Sequence, residues 1–193
     1  MKNKHSQVTQ ASQVLQSRDK REKFDKKPKS EEADYLVNKV AKITKNSFNG
    51  KEIQTHFESA KNLYSEAILE YHPPDGKTDK KYGELFEKRA KCFMKLGAYQ
   101  NALTDFWTAV KQDPSNPSYY REVARCNQEL GQITEALNCY QEAINCSSSV
   151  NTELTTIYLE RGLLYSRQGK YELAIKDFNK AINLKYDRAP YYE

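Results

Sequence analysis

The sequence predicts an all-α fold, a solenoid in which similar helix–turn–helix units stack on one another. Three observations support this prediction. Apolar residues recur at helical spacing through most of residues 31–188. The same residue types return 34 residues apart, which is typical of a repeat array. Only 7 Gly and 6 Pro occur in 193 residues, too few for a turn-rich β sandwich.

Residues 1–30 are predicted to be a flexible basic leader. They carry nine Lys or Arg against three acidic residues, a net charge of +6, whereas residues 31–193 carry 22 against 23, a net charge of −1. Few apolar residues are present there to offset the entropy cost of ordering the chain. Such a leader could contact tubulin or another anionic surface; the alternative is a solvated tail, because interspersed acidic residues weaken its field. Aromatic residues that stack on bases are absent from it apart from Phe24, so no nucleic-acid partner is predicted.

Residues 31–72 are predicted to form a degenerate first helix pair. Ser30 is a candidate cap for the first helix, and Gly50 offers a stop. A longer second helix then carries one apolar face, and the run Pro73-Pro74-Asp75-Gly76 ends it. Residues 73–82 are assigned to the connecting loop.

Residues 83–188 are predicted to hold three regular units, at 83–116, 117–150 and 155–188. Gly97 and Gly131 lie 34 residues apart, and Gly169 follows after 38, which is 34 plus a four-residue insertion near residues 151–154. The same offsets relate two Ala and an aromatic residue of each second helix: Ala102, Phe106 and Ala109; Ala136, Tyr140 and Ala143; Ala174, Phe178 and Ala181. Residues 189–193 look like the start of an incomplete further repeat.

The spacing resembles that of the tetratricopeptide repeat family, whose 34-residue unit has aromatic, small, Gly and Ala residues at set offsets. In the unit 83–116 the matching residues are Phe86, Ala90, Phe93, Gly97, Tyr99, Ala102, Phe106, Ala109 and Pro114. The resemblance implies a right-handed superhelix whose concave groove is lined by the first helices and holds a partner segment. Arg89 and Arg161 depart from the family, which usually has Leu there. We expect their aliphatic stems to pack while their charged heads reach water.

Carrying the family's groove positions onto this chain gives a candidate partner-binding site. The eight residues selected are Glu87, Lys91, Lys95, Arg121, Arg125, Gln128, Leu159 and Leu163. Their cations form a basic stripe beside two leucines, so the predicted ligand is a protein or peptide segment with both acidic and apolar residues. The alternative is that these are ordinary solvated charges on helix faces.

The function predicted is a non-catalytic adaptor or scaffold, with an expected cytoplasmic location. No motif suggests a catalytic residue or a cofactor. Four Cys without a C-x-x-C pair suggest no metal site, and no apolar run is long enough to span a membrane.

Two alternatives stay open. One is a structural component of a ciliary, cytoskeletal or other large assembly, held through the basic leader and an open C-terminal face. The other is a chaperone-binding co-chaperone, a subclass that clamps a terminal carboxylate. Lys45 and Asn49 have the spacing of that clamp's first pair, but Lys88, Ser118 and Glu122 depart from the rest of it.

Overall fold

The computed structural model describes residues 28–32, 34, 35, 38, 50–71, 78–147 and 152–186. For residues 185 and 186 it describes the backbone alone. Within these residues no strand occurs, which confirms the all-α prediction. Residues 29–32, 34, 35 and 38 have helical backbone. The helices that follow are α1 (Gly50–Glu70), α2 (Lys80–Lys95), α3 (Tyr99–Gln112), α4 (Pro117–Glu129), α5 (Ile133–Cys146), α6 (Thr152–Arg167) and α7 (Tyr171–Tyr186).

The helices pack as pairs that stack along the chain. α2 packs most extensively on α3, α4 on α5, and α6 on α7, while α1 packs on α2. Each pair also contacts the next, through α3 with α4 and through α5 with α6. This nearest-neighbour packing is that of an α-solenoid, as the sequence predicts.

A glycine turn joins the two helices of each regular unit. Gly97, Gly131 and Gly169 have φ values of 74°, 74° and 72°. This is the left-handed region of backbone conformation, which strains residues other than Gly. The residue after each Gly closes the turn; the N–H of Ala98, for example, donates to the carbonyl of Phe93 at 2.9 Å. These turns therefore end the first helices where the 34-residue spacing predicts.

The core is built from small residues where helices cross and from aromatic residues between neighbouring pairs. The central core cluster contains six fully buried Ala: Ala90, Ala102, Ala109, Ala124, Ala136 and Ala143. Phe106 and Tyr140 fill the space beside them and are equally buried. Because each pair completes the core of the next, no unit buries its apolar face alone.

Two of the three regular units begin their first helix three residues before the predicted boundary, whereas α4 begins at the boundary, Pro117. The carboxylate of Asp79 accepts the N–H of Tyr82 at 3.2 Å, so α2 begins at Lys80, before the end of the predicted loop. α6 likewise begins at Thr152. Near the N-terminus, the carbonyl of Pro28 accepts the N–H of Glu31 at 2.8 Å. Helical backbone therefore starts at Lys29, and Ser30 is inside the helix, where a cap was predicted.

The expectation that Arg89 and Arg161 point their heads into water is wrong. Arg89 donates two hydrogen bonds of 2.7 Å to the buried carboxylate of Asp105. Arg161 does the same with Asp177 at 2.8 Å. Each pair joins the first helix of a unit to its second. The buried acid holds the guanidinium inside, although an Arg stem can otherwise carry its head to the surface.

Among the described residues, no helix combines the length and the apolar character that crossing a bilayer requires.

Candidate functional site

Side chains of the first helices α2, α4 and α6, together with some from α1, α3 and α5, line two adjoining depressions, which we call the first-helix groove. The larger encloses about 810 Å³ between α1, α2 and α4. The smaller encloses about 150 Å³ between α4 and α6. Arg125 and Glu129 line both, so the two depressions are neighbours.

The α2 side of the groove is basic above an apolar floor. Lys91 and Lys95 line it one turn apart, and Ile53, Phe57 and Met94 supply apolar surface. Lys91 Nζ lies 2.6 Å from the carboxylate of Glu87 on the same helix face; about half of the Lys91 side chain is exposed, whereas the Glu87 side chain is mostly buried. Lys95 makes no hydrogen bond or ion pair with the described residues, so its charge is available to a ligand.

Lys88 closes the edge of the larger depression. Its Nζ lies 2.7 Å from Asp34, which also accepts a hydrogen bond from the hydroxyl of Tyr64. Asp34 belongs to the helical backbone near the N-terminus, so these contacts tie that segment to α1 and α2.

Arg121 does not line the groove as the predicted basic stripe requires. Its guanidinium lies among three carboxylates, 2.8 Å from Glu122, 3.4 Å from Glu153 and 3.9 Å from Glu160. Its side chain is mostly buried, and its charge is used between α4 and α6. Ion pairing with acids of the next unit therefore removes one cation from the groove.

Arg125 lines both depressions, and Gln128 lines the smaller one. Arg125 contacts Glu122 at 3.0 Å and still exposes almost half of its side chain. Gln128 accepts a hydrogen bond of 2.8 Å from the hydroxyl of Tyr140, whose ring forms the floor of the smaller depression. Since that bond fixes the amide, Gln128 presents a defined polar surface at this point.

Leu163 and Leu159 occupy the exposed side of α6. Leu163 lines the smaller depression and leaves 53% of its surface in water. Leu159 is also exposed but lines neither depression. The structure therefore brings Lys91, Lys95, Arg125, Gln128 and Leu163 together, with Glu87 beside them.

Three charged residues outside the selected eight line the smaller depression. Glu129 and Arg167 hold the thirteenth position of their units, the position that gave Lys95, so the family offsets contain a signal for them. Glu160 holds the sixth position, which those offsets do not include. Burial raises the pKa of the Glu160 carboxyl, against the opposing effect of Arg121 and Arg125.

The chaperone-type clamp finds little support at the described positions. Lys45 and Asn49 lie outside the described residues. Lys88 is engaged with Asp34, and Glu122 is a buried acid engaged with two arginines. A buried carboxylate at this point would repel a terminal carboxylate.

The described residues contain no group of three or more His, Cys, Asp or Glu arranged to hold a metal ion.

Comparison with known proteins agrees with the fold. The family model of the tetratricopeptide repeat matches residues 115–187. DnaJ homolog subfamily C member 3 of Gallus gallus is 25% identical over 181 residues, covering 82% of this chain and 36% of that protein. The chain spans between 11% and 36% of the length of the curated relatives it matches.

Solved structures show the same architecture at low sequence identity. The crystal structure of MamA aligns with a TM-score of 0.59 at 15% identity, over 79% of this chain and 88% of that one. The first TPR of Spaghetti (RPAP3), bound to the HSP90 peptide SRMEEVD, aligns with a TM-score of 0.51 at 21% identity, over 59% and 87%. At these identities the likeness concerns the fold.

Proposed function

Residues 115–187 belong to the tetratricopeptide repeat family and the described chain has that family's fold, and from this premise we propose a non-catalytic protein-interaction module. In this proposal the first-helix groove holds a segment of a partner protein. The segment carries acidic residues toward α2 and α4 and an apolar residue at α6. The protein itself acts as an adaptor or scaffold in the cytoplasm, without a cofactor or metal.

The observation that carries the proposal is the order of side chains along the groove. The ninth position of the three units holds Lys91, Arg125 and Leu163 in turn. All three line the groove with exposed side chains, so the surface passes from basic to apolar along its length. Lys and Arg recognise carboxylates, and an exposed Leu gains by burial against an apolar side chain.

Ion pairs within the chain indicate which groove cations are free to contact an acidic side chain of the ligand. Glu87 and Glu122 partly neutralise Lys91 and Arg125, whereas Lys95 and Arg167 make no recorded ion pair with the described residues. Lys95 ends α2 and Arg167 ends α6. An acidic side chain near either helix end therefore meets a cation that loses no existing partner.

The alternative is a structural component of a ciliary, cytoskeletal or other large assembly. The net charge of +6 in residues 1–30 favours attachment to an anionic surface such as tubulin. Exposed apolar residues of α7 offer a second contact. In this alternative the groove is not needed for attachment.

Partner capture with matched variants tests the proposal. The groove variant is Lys95→Glu with Leu163→Glu. Its control is Lys111→Glu with Leu173→Glu, because Lys111 also lies in the last turn of its helix and Leu173 is similarly exposed. Quantitative mass spectrometry should show partners lost from the groove variant and retained by the control.

A third bait that lacks residues 1–30 separates the two functions. Groove binding predicts that its partners are retained, whereas attachment through the leader predicts that they are lost. Partners that survive in the groove variant and disappear with the leader would contradict the proposal.

A further inference from the structure

Three exposed charges of alternating sign lie along one edge of the first-helix groove. Lys95, Glu129 and Arg167 hold the thirteenth position of the three regular units, and each is the last residue of its helix, α2, α4 or α6. Lys95 and Glu129 line the larger depression together, and Glu129 and Arg167 line the smaller one. The order along this edge is therefore positive, negative, positive. We call these three residues the charged row.

The side chains of the charged row have no partner in the part of the chain that the structure describes. The cations one turn earlier are already engaged. Lys91, one turn before Lys95, is paired within its own helix. Arg125, one turn before Glu129, donates hydrogen bonds of 3.0 and 3.3 Å to the carboxylate of Glu122 instead. A ligand can therefore pair with the charged row without breaking an existing contact in the described residues.

Glu129 lies at a helix end where a carboxylate is unfavourable. The C-terminal end of α4 carries the partial negative charge of the helix dipole, and the last turn of this helix contains no basic residue. Lys95 and Arg167 are stabilised at the corresponding ends of α2 and α6, whereas Glu129 adds a like charge. A cation of a ligand would meet both the carboxylate and the helix end here, so this point of the groove favours a Lys or Arg side chain.

The spacing of the charged row limits the conformation of a ligand that contacts all three residues. Helices that pack side by side lie about 8–10 Å apart. In a polyproline II segment, residues three apart lie on one face and are about 9 Å apart, whereas in a β-strand they point to opposite faces. The smaller depression encloses only about 150 Å³ and is narrow for an α-helix, whose diameter is about 10–12 Å. An extended segment with a charged residue at every third position therefore fits the row.

We propose that the charged row selects an extended partner segment in which an acidic, a basic and a second acidic residue follow one another at every third position. The acidic residues pair with Lys95 and Arg167, and the basic residue pairs with Glu129. The inference rests on the proposed function and deepens it, because it names the order of charges and the conformation of the segment. Leu163 remains available to an apolar residue between the charged ones.

Selection from two phage-displayed peptide libraries tests the inference. In each library three positions vary independently among Glu, Lys and Ser. They lie three residues apart on a constant background of Ala, Pro and Leu in the first library, and seven residues apart on a helix-forming background in the second. The full chain is the bait at low salt, and sequencing measures enrichment. We expect the first library to yield the order Glu, Lys, Glu, enriched about tenfold or more over Glu, Glu, Glu, because the latter places a carboxylate against that of Glu129.

Reversal of the central charge distinguishes recognition from a loss of folding. The Glu129→Lys variant should select the order Glu, Glu, Glu, which is an exchange of specificity and not a loss of binding. Its control is Glu142→Lys, because Glu142 is equally exposed but lines neither depression. The control should select Glu, Lys, Glu, as the parent chain does.

Three results would overturn the inference and leave binding in the groove intact. They are enrichment of Glu, Glu, Glu by the parent chain, enrichment from the second library alone, and a Glu129→Lys variant that still selects Lys at the central position. Absence of any enrichment by the parent chain would overturn the inference as well. Partner capture with the groove variant then decides separately whether the proposed function also fails.

Discussion

Arg89 and Asp105 form a two-bonded ion pair inside the unit 83–116, with both hydrogen bonds at 2.7 Å. The pair recurs as Arg161 and Asp177 in the unit 155–188. In the unit between them, the same two positions hold Val123 and Cys139. The same contact between paired helices is therefore an ion pair in two units and is made by apolar side chains in the third.

Replacing Arg89 alone should destabilise the chain more than replacing both partners. Arg89→Val leaves the carboxylate of Asp105 buried without its cation, and we expect a loss of about 3–5 kcal/mol in the free energy of unfolding. The double variant Arg89→Val with Asp105→Cys copies the neighbouring unit and should recover most of that loss. Denaturant unfolding of both variants and of Asp105→Cys completes the cycle. Additive losses would show that the pair is not coupled.

Ala109→Glu should destabilise the stack by about 3–5 kcal/mol, because it places an unpaired charge where helices cross. Ala109 is fully buried and belongs to the central core cluster. Thr104→Glu, on the exposed side of the same helix, is the control and should change stability by less than about 1 kcal/mol. Thermal unfolding measures both, and equal midpoints would mean that the repeat register is wrong.

The four cysteines should differ in their reaction with Ellman's reagent. Burial raises the pKa of Cys92 and Cys126 to about 12 and that of Cys139 to about 11, so little thiolate forms near neutral pH. Cys146 is only partly buried at the end of α5. We expect one thiol to react in the folded chain and the other three after denaturation. Rapid reaction of a second thiol in the folded chain would contradict this burial.

Glu160 should make stability depend on pH. Its pKa is raised by burial above its ordinary value of 4.5, so the folded chain holds this proton more tightly than the unfolded chain. The resulting stabilisation is present at low pH and is lost as the pH rises through the folded-state pKa. Glu160→Gln should therefore gain stability relative to the parent chain as the pH rises above the ordinary pKa of 4.5. Thermal unfolding measures the difference, with exposed Glu142→Gln as the control. A difference that does not vary with pH would contradict the raised pKa.

The repeat spacing alone predicts most of the fold. Small residues recur where backbones approach closely and Gly recurs where φ is positive, and these are local requirements that a sequence shows directly. Helix starts were less well predicted because a capping side chain decides them. Asp79 accepts the N–H of Tyr82 and moves the start of α2 to Lys80.

Ion pairs between helices were the main element that the sequence left unpredicted. The partner of a charged residue depends on how the helices pack. Arg89 pairs with an acid 16 residues further along the chain, and Arg121 pairs with an acid of the next unit. The sequence nevertheless contains a signal for the Arg89 ion pair. Arg and Asp occur together at the seventh and 23rd positions of two units, and both are absent from the unit between them. No comparable repeat marks the Arg121 cluster.

The affinity of a segment from a captured partner for the first-helix groove tests the central claim most directly. Calorimetry compares the parent chain with Lys95→Glu and with Leu163→Glu, each beside its control, Lys111→Glu or Leu173→Glu. We expect each groove variant to weaken binding by about tenfold at low salt, with the Lys95 effect shrinking at high salt. Unchanged affinity in both groove variants would contradict the assignment of this groove as the partner-binding site.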